Sequence, residues 1–315
     1  MKRGGLVTLI GGGGFLGRYV AQRVLIGGWR LRVAQRDPRQ AFFLKSFGQL
    51  GGTHTVAADI RRPDTLLRAV AGSDAVVNLV GVLAGDFGGV HIDGARNVAR
   101  AAAEAGVPAL VHVSAIGADP ASPSAYGRSK GEGEAAVRDA FPAATITRPS
   151  VVFGREDQFL NRFAQLIAKL PVVPILSPNT RFQPVFVGDH ADAVGAVLRD
   201  PAAHAGRTFE LGGPDIVTMA ELNRFIARET GRSPRFVEVP DKFGALIAKA
   251  GFLPGAPITT DQWLMLRRDN VASPDLPGLR ELGVTPTPMG AITPSYLVQY
   301  RRSGRFGRRQ QGQVA

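Results

Sequence analysis

The chain has 315 residues, 44% of them hydrophobic and 20% charged, with a formal net charge of +12 and no cysteine. That length and composition fit an ordinary globular protein, one large domain with a smaller appendage. The lack of cysteine excludes disulfides, thiolate catalysis, cysteine-bound zinc and iron–sulfur clusters.

The chain opens "MKRGGLVTLIGGGG", too few apolar residues for the core of a signal peptide. No run of ~18 apolar residues follows anywhere, so the reading is an intracellular chain without a spanning helix. The first predicted strand, "GLVTLI", runs into four glycines and then a helix over Phe15 to Gly27. Gly11, Gly14 and Gly17 give the spacing G-x-x-G-x-x-G in the strand–turn–helix context of a dinucleotide fingerprint. The glycines allow a tight turn and close approach of a pyrophosphate, and the helix N-terminus, at Phe15, Leu16 and Gly17, offers N–H groups and a positive dipole end.

The second strand, "WRLRVAQ", ends in Arg36 and Asp37. An arginine there suits a 2′-phosphate and NADP(H), with Arg18 as a second cation; the alternative is Asp37 on a ribose hydroxyl and NAD. Two further strands, "HTVAADI" and "DAVVNLV", bring Asp59, Ile60, Asn78, Val80 and Gly81 to the same crevice. A helix over Gly94 to Gly106 and the strand "ALVHVSA" lead to Ser114. Tyr126 and Lys130 follow at i and i+4 on a helix, one face, so the ammonium is expected to lower the phenol's pKa for acid–base work while Ser114 holds a carbonyl. The five histidines (His54, His91, His112, His190, His204) have no metal-ligand spacing and read as structural or surface residues, with no metal site.

"ATITRPSVVF" is a sixth strand, with Pro149 at the rim of the crevice. Beyond it come a helix "EDQFLNRFAQLIAKL", a proline-broken loop "PVVPILSP", a strand "RFQPVFV", a helix "DHADAVGAVL" and a strand "RTFELGG". Strands alternating with helices imply a doubly wound parallel α/β sheet. The expected division is 1–153 with 181–212 as a Rossmann nucleotide-binding domain and 154–180 with 213–298 as a smaller mixed α/β lobe. In that lobe "DKFGALIAKAGFLPG" sets Phe243, Leu246, Ile247 and Ala250 on one helical face, followed by Phe252 and Leu253, as core or as an interfacial helix on lipid. The last 17 residues, 299–315, carry five arginines and no acid and read as a basic, disordered tail. No nucleic-acid recognition module is present.

Taken together, "GGGGFLGRYVAQRVL", "GRSKGEGEAAVRDAFPAATITRPSVVFGREDQFLNRFA" and "RFQPVFVGDHADAV" resemble the extended, atypical short-chain dehydrogenase/reductases. Within that superfamily they are most similar to the nucleotide-binding accessory subunits of respiratory complex I, NADH:ubiquinone oxidoreductase; "VFGREDQFLNRFA" is the most specific stretch. The resemblance implies a tightly held, structural NADPH on Gly11, Gly14, Gly17, Arg18 and Arg36, with Lys130 at its ribose. It further implies complex I subunits as partners, peripheral contact with lipid, and a place on the cytoplasmic side of a bacterial inner membrane. Ser114, Tyr126 and Lys130 are all kept, which leaves open a free NADP(H)-dependent reductase or epimerase; a redox-sensing module is a third reading.

Overall fold

The computed structural model describes residues 4–49, 51–249, 258–302 and 304, in two compact units. The first unit comprises Met1–Pro149, Val187–Gly212 and Ala272–Pro286, and the second Ser150–Phe186, Gly213–Val271 and Thr287–Ala315.

The first unit is built on strands β1 (Leu6–Ile10), β2 (Arg30–Gln35), β3 (Thr53–Ala57), β4 (Ala75–Asn78), β5 (Leu110–Val113) and β6 (Thr145–Pro149), joined by a seventh, Thr208–Leu211. Their spatial order is β3-β2-β1-β4-β5-β6 and then Thr208–Leu211, with every pairing parallel. This is the doubly wound arrangement expected from the sequence, and the order reverses between β1 and β4. Ligands bind such sheets at that reversal, beyond the carboxyl ends of the strands. All five residues of β1 and all four of β4 and β5 are buried, as covered parallel strands must be.

Helix α1 (Phe15–Ile26) packs against the helix Val187–Arg199, to which Arg23 is tied by an ion pair with Asp192 at 2.6 Å. Helices α2 (Pro63–Val70), α3 (Ala95–Glu104) and α4 (Ala125–Ala140) pack in succession over a core that includes Ile10, Leu66, Val76, Val98 and Leu110. Before α3 the chain makes a wider, π-type turn over Gly88–Gly94, a departure that recurs at functional sites. A tight helical stretch, Pro38–Phe47, follows β2.

The second unit has its own core, in which Phe153, Leu160, Ile167, Leu222, Ile226 and Leu297 meet. Its helices include Leu160–Lys169, Met219–Thr230, Thr260–Leu266 and Met289–Leu297. Capping boxes start two of them, Thr218 with Glu221 and Thr259 with Gln262. The segment "PVVPILSP" is not a loop: Val172–Leu176 is a strand pairing in parallel with Arg235–Val239. Proline is tolerated because Pro174 lies in a two-stranded sheet with an open edge. "RFQPVFV" divides at Pro184 into Arg181–Phe182 and Val185–Phe186, and Val187 already begins a helix. Similarly "ATITRPSVVF" is two strands, β6 and Val152–Phe153.

In the helix Asp241–Lys249, Phe243 is 61% exposed whereas Ala248 is buried with Ile258 and Trp263. The side chains of Leu246 and Ile247, residues 250–257 with Phe252 and Leu253, and the tail beyond residue 304 lie outside the described residues. Before that limit, Val298–Tyr300 form a helical turn. No helix among the described residues is long and apolar enough to cross a membrane.

Candidate nucleotide site

The glycine loop is shaped by its own backbone. Gly11 has φ +79°, which a side chain would resist, and a Cβ there would lie 2.8 Å from Val80 Cγ2. A Cβ on Gly17 would run into the Gly12 carbonyl group. Gly14 differs: its nearest neighbour would be the Gly11 carbonyl oxygen at 3.5 Å, so the protein itself leaves that position open. Helix α1 begins at Phe15 and Leu16 with no side-chain cap and no acidic residue in its first turn. Its N–H groups and dipole are thereby left for an anion. The loop is held to β2 by the Gly11 N–H donating to the Ala34 carbonyl at 2.8 Å and the Gly13 N–H donating to Gln35 Oε1 at 2.9 Å. The Gln35 amide in turn donates to the Asp37 carbonyl at 2.7 Å.

At the end of β2 the two candidate residues are unlike. Asp37 caps the stretch Pro38–Phe47 and is tied to Arg39 by an ion pair at 3.0 Å, so its carboxylate, lowered by those bonds, is already spent. Arg36 is exposed and makes no hydrogen bond or ion pair with any described residue, although its charge helps hold the Asp59 carboxyl below its usual range. Arg18 lies in the first turn of α1 with its guanidinium 4.9 Å from the centre of the Phe43 ring.

Three sequence candidates are committed to internal contacts. The Asp59 carboxylate takes both Arg61 side-chain donors, at 3.1 and 2.8 Å. Ile60 is buried against Gly94 and its carbonyl accepts from Asn97. Asn78 donates to His112 Nδ1 at 3.2 Å and accepts from the Val80 N–H at 3.2 Å. Asn78 therefore fixes the turn that brings Val80 over Gly11 and Gly81 towards Lys130. A Cβ on Gly81 would sit 3.3 Å from Lys130 Nζ.

Helix α4 is started by Ser124, whose hydroxyl accepts from the Gly127 N–H. It carries Tyr126 half-buried and Lys130 buried. Lys130 Nζ donates to the Val113 carbonyl at 3.3 Å, next to Ser114. Burial pulls Lys130 down to about 8, against a smaller upward pull from Glu134. The Ser114 hydroxyl is buried and has no hydrogen-bond partner among the described residues, while its N–H donates to the Thr147 carbonyl at 2.7 Å. Pro149 closes this rim, its carbonyl accepting from the Ile116 N–H. The expected activation of the phenol is not found: burial pushes Tyr126 up to about 12. The lysine that would lower it donates to the Val113 carbonyl, and desolvation alone sets the direction of the phenol's shift.

His91, read from the sequence as an ordinary structural histidine, is a hub of this site. The Val82 N–H donates to its Nε2 at 3.0 Å, which places the ring proton on Nδ1, donating to Ser129 Oγ at 2.9 Å. Ser129 passes the hydrogen bond to the Tyr126 carbonyl at 2.9 Å. The His91 ring stacks on Phe87 and meets Tyr126 edge-on, both with centres 5.5 Å apart. Burial, with the Lys130 charge second, holds His91 down to about 3. No spacing rule ties His91 or Gln35 to the motifs they support.

The donors and the openings fit a dinucleotide. They are an uncapped helix N-terminus beside Gly14, an unengaged arginine at β2, and a free hydroxyl beside a buried lysine. Residues 7–212 match the family model described as the NAD dependent epimerase/dehydratase family. The chain is 37% identical over 295 residues to NADH dehydrogenase (ubiquinone) 1 alpha subcomplex subunit 9, mitochondrial, of Mus musculus, covering 91% of this chain and 78% of that one. It is 34% identical over 251 residues to the ceramide reductase of Caulobacter vibrioides, covering 78% and 77%. Among solved structures, the NADPH complex of an Escherichia coli NADPH-dependent quinone oxidoreductase superposes with a TM-score of 0.75 at 21% identity, over 92% of this chain and 99% of that one. The chain belongs to the NAD dependent epimerase/dehydratase family, and within it to the family of the complex I alpha subcomplex subunit 9 proteins.

Proposed function

We propose that this protein is an accessory subunit of a respiratory NADH:quinone oxidoreductase, peripheral on the cytoplasmic face of a bacterial inner membrane, that holds NADPH as a structural ligand. The observation that carries the reading is the reach of the likeness to the mouse subunit. It covers 91% of the chain and so extends beyond residue 212, where the general family match stops. Retention rather than turnover is supported by the phenol at about 12 and by a lysine engaged with a backbone carbonyl. NADPH rather than NADH is supported by the unengaged Arg36 and the spent Asp37. The pyrophosphate would lie on the N-terminus of α1 beside Gly14, the 2′-phosphate by Arg36 and Arg18, and a ribose by Lys130. A ligand that binds only the folded state adds about 2.7 kcal/mol at a hundredfold excess over its Kd.

A second reading, a free NADP(H)-dependent reductase, is favoured by the buried, unpartnered Ser114 hydroxyl and by the likeness to a ceramide reductase. In it Ser114 would orient a carbonyl and Tyr126 would give its proton to the nascent alkoxide, with a bound dinucleotide as the source of hydride. One experiment separates the two: size-resolved mass spectrometry of native membranes solubilised in mild detergent. Co-migration with the large NADH:quinone oxidoreductase is the expected result; migration alone or as a small oligomer would overturn it in favour of the reductase.

A further inference from the structure

We infer that His91 is a positioning residue of the nucleotide site: its ring locks helix α4 to the turn after β4 and so holds Tyr126 and Lys130 in place for the nicotinamide half of a dinucleotide. The inference rests on the nucleotide reading above and deepens it. That reading puts the 2′-phosphate at Arg36, just past the end of β2, so the ribose it puts beside Lys130 is the one next to the nicotinamide.

Each ring nitrogen of His91 serves a different element. Nε2 accepts from the Val82 N–H at 3.0 Å, in the turn after β4, and Nδ1 donates to Ser129 Oγ at 2.9 Å, on α4. Ser129 spends its own proton on the Tyr126 carbonyl, so towards the histidine it is the acceptor. One neutral tautomer satisfies both ends, whereas an imidazolium has no lone pair left for Val82. Burial, with the Lys130 charge second, keeps the ring neutral. A trans peptide points its N–H and C=O in opposite directions, so holding the Val82 N–H also fixes the Gly81 carbonyl.

The two elements approach closely here. A Cβ on Gly133 of α4 would run into the His91 carbonyl oxygen. A Cβ on Gly81 would lie 3.3 Å from Lys130 Nζ and 3.7 Å from His91 Nε2, so both side chains rest against the carboxyl end of β4. The rings of Phe87, His91 and Tyr126 pack together, with no pair of centres more than 6.0 Å apart. A tyrosine and a lysine fixed in advance spare the entropy of ordering them when a ligand arrives.

The test compares NADPH with 2′,5′-ADP, which keeps the adenine and its phosphorylated ribose but lacks the nicotinamide half. Dissociation constants for both are measured by titration calorimetry on the purified full chain. Their ratio cancels any general weakening of the fold or of the adenine end. His91→Phe keeps an aromatic ring but removes both hydrogen bonds. It is expected to weaken NADPH about tenfold relative to 2′,5′-ADP, the scale of one hydrogen bond. Ser129→Ala, a smaller change, should move the ratio in the same direction. The double variant should lose no more than His91→Phe alone, because the two act as one unit. If His91→Phe weakens both ligands equally, or neither, or if the double variant is additive, the positioning role is wrong and the nucleotide reading stands. If Lys130→Met leaves the ratio unchanged, the second ribose does not lie at Lys130; that placement falls, and the role of His91 with it.

Discussion

At the scale of single residues, two of the loop glycines make opposite demands. A methyl group at position 17 would come within 2.6 Å of Gly12 Cα and closer still to its carbonyl, and these are backbone atoms rather than the end of a flexible side chain. Gly17→Ala should cost about 1–3 kcal/mol, the usual penalty of overpacking, and abolish stabilisation by NADPH. Gly14 has φ −77° and ψ −176°, open to any residue, with no close neighbour. Gly14→Ala should leave the melting temperature of the nucleotide-free protein unchanged or slightly raised, yet remove the gain on adding NADPH, because its methyl fills the phosphate's space. Thermal melts of both variants with and without NADPH check the pair; a normal NADPH gain in Gly14→Ala would place the pyrophosphate elsewhere. The glycines, Arg36 and the Ser114, Tyr126, Lys130 set were legible because each sits at a fixed distance from a strand end or along one helix turn. His91 and Gln35 act across 38 and 22 residues, on Ser129 and Gly13, and a lone histidine or glutamine carries no pattern that announces its partner. The phenol's acidity was misread for a related reason. It depends on how dry the ring is, which spacing does not report.

Among the elements, the joint of α4, β6 and the strand Thr208–Leu211 is an ion cluster. Arg148 donates to both oxygens of Glu134, at 2.8 and 2.7 Å, and to Glu210 at 3.3 Å, and Glu210 also accepts the Ser273 N–H. Both glutamates are buried, at 6% and 8% side-chain exposure. Replacing Arg148 by Met would leave two buried carboxylates without their cation and should cost about 3–5 kcal/mol. Chemical denaturation checks it. A loss under 1 kcal/mol would mean that water reaches the cluster. Elements of this first unit were readable as alternating strands and helices because the central strands β1, β4 and β5 are buried throughout and helices between them bury an apolar face. Val172–Leu176 was not, since two prolines frame it and its partner strand, Arg235–Val239, lies some sixty residues on. The π-type turn at Gly88–Gly94 also escaped, because its register differs from ordinary helix only by how many residues each hydrogen bond spans.

For the whole molecule, three buried histidines set the response to acid. Burial holds His91 and His112 at about 3 and His190 at about 4, against 6.5 in the unfolded chain. Between those values the unfolded chain binds the protons and the folded one does not. The stability each contributes is therefore complete above pH 6.5 and is lost as the pH falls towards 3 or 4, at about 1.4 kcal/mol per pH unit per histidine. Asp157, raised by burial, works in the opposite sense. Melting temperature followed from pH 8 to pH 4.5 should drop steeply below about 6.5. His190→Leu, which removes a ring with no partner on either nitrogen among the described residues, should flatten that slope by one proton. An unchanged slope would show that the ring is hydrated.

The stretch "VFGREDQFLNRFA", the most distinctive words in the sequence, has a domestic occupation. Asp157 accepts from the backbone of Gly154, Leu160 and Asn161 and from the Tyr296 hydroxyl at 3.1 Å, while the Tyr300 hydroxyl donates to Asn161 at 2.8 Å. Phe159 packs edge-on against Phe163 and beside Phe182. These side chains clasp the helix Leu160–Lys169 and the turn before it to Tyr296 and Tyr300. A change at Asp157 or Asn161 would therefore be felt first as lost stability of the second unit, whatever the chain binds or joins.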